Sequence, residues 1–402
     1  MERKERKRGH AMDNLLLMVL PTLAPDFSGV CSTLFELGGI IAIHDPGGCT
    51  GSYTGYDEPR WFDQKSKVFT TSLDDVEAVF GDDRIVVSKI CAAHEELGSN
   101  FVAFLGSPSP MVIGTDYAAL ASILQKKTGT PAIPFDTKGT EFYDVGIEMA
   151  LMSIAKHFLP EDIPEKKKNM VNVLGATPLD LTNTHNVEVI GKILQDAGYT
   201  IGSMWCMGTT LKEIHESAKA QCNIVLTASA LKVAEYLKEK YGTPYIVGRF
   251  SGDVAVQDFL HHLANLMQGI PLEENVEETK QEGKSALIVG EQFLSDGIRQ
   301  FLLRDLGYRH VVVASFFNMK EQYTQPTDIV GLTEERFIEL TADKSYDVVI
   351  GDGLLKRLLD KKFTGDFIEL PHVSISSRLS WNTQICQFGK EAFDMMKLPV
   401  EQ

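Results

Sequence analysis

The chain has 402 residues, of which 44% are hydrophobic and 23% charged, enough for two or three ordinary hydrophobic cores rather than one. Its 39 basic residues against 55 acidic ones leave a net charge of −16, which argues against broad binding to a nucleic-acid backbone. No window reaches the run of about eighteen apolar residues that a membrane span needs, so a cytoplasmic protein with neither nucleic acid nor membrane as partner is expected.

Residues 1–14, with Arg3, Lys4, Arg6, Lys7 and Arg8, have the composition of a disordered basic tail. Beyond them a pattern recurs: a short β-branched run, a turn rich in Gly, Pro, Asp or Ser, then a longer helical period. That is the signature of parallel α/β units. Gly39–His44 and Phe101–Leu105 predict buried strands, with a helix over Arg84–Leu97 between them, and the charged stretch Glu161–Asn169 predicts a linker closing a first domain over 15–165. A second block, 166–282, opens on the strand Met170–Leu174. It continues through a helix over Val187–Ala197 stopped by Gly198, strands over Asn223–Leu226 and Pro244–Val247, a helix over Val254–Met267, and the acidic stretch Leu272–Glu282. A third, 283–402, opens on Ser285–Val289 and Gly290, followed by a helix to Leu306 and strands over Val311–Ala314 and Tyr346–Ile350. The fold class expected is therefore α/β, with three Rossmann-like domains of mostly parallel strands in series.

No GxxxxGK[ST] loop occurs, and no strand leads into a clean GxGxxG turn. The nearest approach, GEQFLSDG at Gly290–Gly297, has the composition of a strand-to-helix turn that needs glycine. The chain is thus expected to bind no nucleotide itself. Chemistry concentrates instead at His44–Gly55, HDPGGCTGSYTG, directly after a predicted buried strand. Pro46, Gly47 and Gly48 force a tight turn there and leave Cys49 at the strand's carboxyl end, where open α/β sheets place their ligands. A thiolate beside a turn of free backbone N–H groups suits an iron ligand, because those groups can hydrogen-bond cluster sulfurs. The alternative is a buried thiol beside a glycine turn. Cys206, Cys222 and Cys386 sit among strand-like or mixed apolar residues as structural thiols, and Cys91 falls in the apolar stripe of its helix. His261 and His262, adjacent on a helix, point apart. His185, His215 and His372 suit surface or capping roles, and Asp57 and Asp116 turn or helix-cap roles.

HDPGGC resembles the HGPxGC segment of nitrogenase component-1 proteins and their relatives, which include light-independent protochlorophyllide reductases, a tetrapyrrole reductase and cofactor-assembly scaffolds. Further similar segments follow in the family's order: AVFGDDR at Ala78–Arg84, GSPSPMVIGTDY at Gly106–Tyr117, then GRFSGDVAVQDFL and GKSALIVGEQFLSDGIRQFL. The resemblance implies an iron-sulfur cluster of the [4Fe-4S] kind and a reductase component that takes electrons from a separate iron-protein type P-loop ATPase to reduce a small or tetrapyrrole-like substrate. The substrate pocket would lie where the carboxyl ends of the three sheets converge. A metallocluster assembly scaffold, or a non-catalytic subunit of a hetero-oligomeric complex, is the alternative it also allows.

By the same resemblance Cys49 takes the family's second cluster cysteine, whereas the first falls near Leu23 and the third on Ser109. Cys31 and Asp26 are the substitute ligand candidates, with Gly47 and Gly48 shaping the loop and His44 orienting it. Two cysteines per chain imply a cluster shared across a homodimer or with a paired paralogous subunit. The family's cysteine and histidine anchors for a large molybdenum-type cofactor fall near Thr227 and Ser376, so no molybdenum cofactor is expected.

Overall fold

A computed structural model describes residues 17–62, 64–181, 183–270, 282–343, 345–383 and 385–397. The basic tail and nearly all of the acidic stretch expected over Leu272–Glu282 lie outside these residues. The strands form three sheets. β1 (Ile40–Ile43), β2 (Lys67–Thr70), β3 (Val102–Leu105) and β4 (Ala132–Phe135) run in the order β2-β1-β3-β4. β5 (Met170–Leu174), β6 (Thr200–Met204), β7 (Cys222–Val225) and β8 (Tyr245–Val247) repeat it as β6-β5-β7-β8. β9 (Ser285–Val289), β10 (His310–Ser315), β11 (Ile329–Val330), β12 (Val348–Gly351) and β13 (Asp366–Glu369) form the third, β11-β10-β9-β12-β13. Every pairing is parallel, with Ile40 set against Lys67 on one side and Val102 on the other, for example.

β1, β3, β5, β7, β9 and β12 are buried along their whole length. That is why they are near-continuous Ile, Val, Leu and Ala runs: helices cover both faces of a parallel sheet, so no position alternates toward water. β2, β4 and β6 carry no such mark. Each is a sheet edge, β4 holds an exposed Pro134, and β6 holds Gly202. Proline is tolerated in a sheet where its missing N–H has no ladder partner, which is at an edge.

The strand order reverses between β1 and β3, between β5 and β7, and between β9 and β12. Loops leaving the carboxyl ends at such reversals form the crevices where this architecture binds ligands. The helices before and after the first sheet's strands are locked together. Helices Asp26–Leu34 and Tyr143–Phe158 cross so closely that a methyl group added at Gly29 would overlap the Tyr143 carbonyl, and one at Gly146 the Asp26 carbonyl. The last described residues join two cores: Ala392 and Met395 pack with the third sheet, and the segment before them reaches the second. Asn183 donates to the Thr383 and Ile385 carbonyls at 2.9 and 3.0 Å, Ser251 bridges to Gly389, and Cys386 and Phe388 join the core beside β5 and β7. No helix among the described residues is long and apolar enough to cross a membrane.

Candidate functional site

Two features occupy the crevices. The first is the loop after β1, where the Asp45 carboxylate accepts the backbone N–H of Gly47 at 2.6 Å and of Cys49 at 3.0 Å, and the Ser107 hydroxyl at 3.1 Å. Ser107 also donates to the His44 carbonyl at 2.9 Å, so the loops after β1 and β3 are stitched together. His44 turns inward, its Nδ1 2.8 Å from the Thr71 hydroxyl, and so fixes the loop rather than facing a ligand. Gly47 adopts a φ of 128°, which a side chain would strain, and the space beside Gly47, Gly48 and Gly51 is open. Cys49 opens the helix Gly48–Ser52 and is half-buried. Burial, then the charge and hydrogen bond of Asp45, push its thiol up to about 12.

Cys31 and Asp26 are placed otherwise than expected of ligands. Cys31 has no exposed surface and lies in the main core, where burial and the nearby Glu58 and Asp57 carboxylates push its thiol well above the usual range. The Asp26 carboxylate is consumed by the backbone N–H groups of Phe27, Lys138 and Gly139 at 2.7, 2.9 and 2.8 Å. Of these two groups, neither presents a face to a second subunit.

The second feature is a cavity of about 260 Å³ at which the carboxyl ends of the sheets meet. Tyr143, Asp144 and Glu148 enter it from the helix Tyr143–Phe158, Asp180 from the loop after β5, Ser229 from after β7, Glu291 from after β9, and Asn318 and Lys320 from after β10. Tyr143 donates its phenolic hydrogen to Asp180, and Thr177 donates to the other Asp180 oxygen at 2.7 Å. The Nε2 of His372 stands 3.2 Å from the Tyr143 hydroxyl. Glu291 accepts the N–H groups of Ala228 at 2.7 Å and Leu294 at 2.9 Å. Burial and the neighbouring Asp180 charge nevertheless raise its carboxyl well above the ordinary glutamate value. Burial likewise pushes Asp144 up to about 6, against hydrogen bonds from Asn318 and Val145. Glu148 goes the other way: burial opposes ionisation, but Lys320 and Lys232, at 2.8 and 3.0 Å, hold it below its usual value. The lining is thus hard oxygen and nitrogen, with two acids raised by burial facing an ion pair, and among the described residues no cysteine contributes to it.

The profile described as nitrogenase component 1 type oxidoreductase matches residues 37–376. The chain belongs to that family. It is 26% identical over 313 residues to the nitrogenase iron-molybdenum cofactor biosynthesis protein NifE of Clostridium pasteurianum, covering 70% of this chain and 65% of that protein. It is 23% identical over 223 residues to the nitrogenase molybdenum-iron protein alpha chain of the same organism, covering 55% and 41%. A light-independent protochlorophyllide reductase component of Nostoc punctiforme is 22% identical over 196 residues, covering 42% and 38%. The chain therefore spans less than two thirds of the length of these curated relatives. The solved structure of nitrogenase Cp1 at pH 5 superposes with a TM-score of 0.69 at 16% identity, covering 95% of this chain and 88% of that one, which shows the shared fold.

Within the component 1 family frame, the departures acquire definite surroundings. Leu23 is fully buried and Ser109 exposed. Thr227 donates to the Gly175 carbonyl at 3.1 Å, and Ser376 to Asp352 at 2.6 Å, so both positions hold hydroxyls already engaged in the fold. For an iron-sulfur cluster the donor set decides the fit: four of the six thiols are buried and Cys91 sits on the separate helix Asp83–Leu97. Cys49 alone stands at an open glycine loop, so one chain by itself does not furnish the four ligands such a cluster normally takes. Asp116 caps a helix as expected, accepting from Ala119, whereas Asp57 is buried, takes hydrogen bonds from Ser28 and Ser377, and is pushed by burial up to about 6. His372, expected at the surface or in a cap, stands at the N-cap position of the helix Val373–Ser376, with its ring buried behind the cavity rather than capping.

Proposed function

We propose that this chain is the substrate-reducing component of a nitrogenase-like system, taking electrons from an iron-protein type ATPase and protonating a small polar substrate in the central cavity. What carries this reading is the lining. A cavity that stores or assembles a metallocluster calls for soft thiolate or imidazole ligands facing it. This one presents Glu291, whose carboxyl is held toward the protonated form by burial and Asp180, and Asp144, raised by burial to about 6, beside Tyr143, and reductions that add electron and proton together need such donors. The Tyr143–Asp180 hydrogen bond orients the phenol, and His372 stands beyond it to exchange a proton at the Tyr143 oxygen. Lys320, paired with Glu148, offers a cation at the rim for an anionic group. A volume of about 260 Å³ lies at the low end for small-molecule sites and favours a compact substrate over a tetrapyrrole macrocycle.

A cluster bound at Cys49 supplies low-potential electrons. A second copy would add only its own Cys49, so the remaining ligands would come from a paired paralogous subunit. Exposed apolar side chains line a cleft with His44 at the start of the Cys49 loop, Val79 and Phe80 each being 79% exposed, a surface that a partner would bury. The test is ATP-dependent consumption of dithionite by anaerobically reconstituted chain plus its cognate iron-protein ATPase, with Cys49→Ser as control. Consumption abolished by Cys49→Ser supports the reductase. Release of iron and sulfide to an acceptor apoprotein, with no consumption of reductant, establishes the assembly-scaffold alternative instead.

A further inference from the structure

We propose that His185, Cys386 and Glu391 bind a divalent transition metal of the zinc class, clamping the C-terminal segment onto the second sheet's helices. One ligand atom from each lies within 4.8 Å of the other two. His185 is the second residue of the helix Thr184–Asp196, and its Nε2 lies 2.9 Å from Glu391 Oε2. The buried Cys386 belongs to the strand-like return segment that Asn183, Asn186 and Ser251 hold in place.

Two observations separate this cluster from an ordinary surface ion pair. A histidine that binds metal through one ring nitrogen usually gives its other N–H to a carboxylate, and Glu188 Oε2 stands 3.4 Å from His185 Nδ1. There is also an entry path: Glu391 lines an open groove of about 480 Å³ between the helices Thr184–Asp196 and Val254–Met267. Tetrahedral zinc holds nitrogen and oxygen at about 2.0–2.2 Å and sulfur at about 2.3 Å, so ligand atoms stand roughly 3.3–3.8 Å apart. His185 and Glu391 are exposed side chains and close that difference by small rotations. A thiolate with an imidazole and a carboxylate selects zinc, cobalt or nickel over magnesium or calcium, and three protein ligands leave the fourth position to water. The Cys386 thiol proton, and any proton on the coordinating imidazole nitrogen, leave to solvent as the metal enters; nothing is oxidised.

The experiment is titration of chelator-stripped full-length chain, kept anaerobic, with Co²⁺ and then Zn²⁺. One cobalt per chain is expected to produce a near-ultraviolet thiolate-to-cobalt charge-transfer band that Zn²⁺ displaces, that Cys49→Ser retains, and that Cys386→Ser loses. His185→Ala and Glu391→Gln, both at the surface, are expected to weaken binding about tenfold or more, and Glu188→Gln by about tenfold, while leaving the fold intact. Zn²⁺ should raise the unfolding temperature of the unmodified chain and not that of His185→Ala. A band of unchanged intensity and affinity in His185→Ala and Glu391→Gln, or one lost in Cys49→Ser and kept in Cys386→Ser, overturns the proposal.

Discussion

Glu291 reaches from the end of β9 to accept the backbone N–H of Ala228 at 2.7 Å, closing the cavity between the second and third sheets. Its carboxyl is raised by burial and by Asp180, so the folded state favours the protonated form. A carboxyl raised on folding contributes stability that is complete below its unfolded value and is lost as pH rises through its folded value. Asp144, pushed up to about 6, adds to the same trend. The unfolding temperature should therefore fall as pH rises from 5 toward 9, with a loss on the order of 1–3 kcal/mol. Glu291→Gln, which cannot ionise, should flatten that fall while costing about 1 kcal/mol at pH 5 through one lost acceptor. Calorimetry across this range checks it; an unchanged slope in the variant would mean that Glu291 is ionised throughout.

The helix crossing that sets Tyr143 and Asp144 in the cavity depends on Gly29 and Gly146. Each would place a methyl group onto a backbone carbonyl of the other helix, and backbone cannot yield as a side-chain end can. Gly146→Ala and Gly29→Ala should each destabilise by about 3 kcal/mol, the upper end of overpacking. Denaturant midpoints measure this, and a midpoint equal to that of the unmodified chain for either variant would show that the helices are not in contact there.

Arg60 is buried between Glu58 and Glu36, at 2.8 Å from each, and also donates to the Ser32 carbonyl and to the Cys206 carbonyl of the second unit. Removing one partner of a buried pair leaves the other uncompensated. Arg60→Met should cost about 3–5 kcal/mol, with part of that recovered in the double variant Arg60→Met, Glu58→Gln, because the more buried of the two orphaned charges is then gone. Urea unfolding of the three proteins decides; no recovery in the double variant would assign the loss to packing against Phe35, whose ring lies 4.6 Å from the guanidinium.

The parts of the fold legible in the sequence are those where one physical demand acts alone. Buried central strands such as Ile40–Ile43 and Ser285–Val289 must be apolar on both faces, and the amphipathic helix Val254–Met267 must show one apolar stripe, so their extents match the expected ones closely. Edge strands answer to weaker demands, and Pro134 and Gly202 erase what pattern remained. The position of the cavity follows from topology, but its residues do not announce themselves. Glu291 caps its helix through Leu294, and Tyr143 begins another helix. Each looks local until the loops after β5, β7, β9 and β10 are brought together. The available signal was position: Asp180, Ser229 and Glu291 all follow central strands at an order reversal.

The two cysteines that the sequence offers as cluster ligands differ in what their removal should do. Cys49 is half-buried at an open glycine loop, and its thiol is the one an iron could approach without unfolding the chain. Cys31 is enclosed by the helix Asp26–Leu34 and the core around Tyr53, so replacing it by serine puts a hydroxyl into an apolar site rather than removing a surface ligand. Cys49→Ser should therefore abolish about four irons per dimer and the cluster's paramagnetic resonance signal at nearly unchanged stability. Cys31→Ser should keep both and lower stability by about 1–3 kcal/mol, the desolvation cost of a hydroxyl without a partner. Iron analysis, resonance spectra and urea midpoints, taken anaerobically on the same preparations, separate the cases. If Cys31→Ser loses the iron while its unfolding midpoint stays put, the thiol reaches the cluster after all, and the helix Asp26–Leu34 must open toward the second subunit when the complex forms.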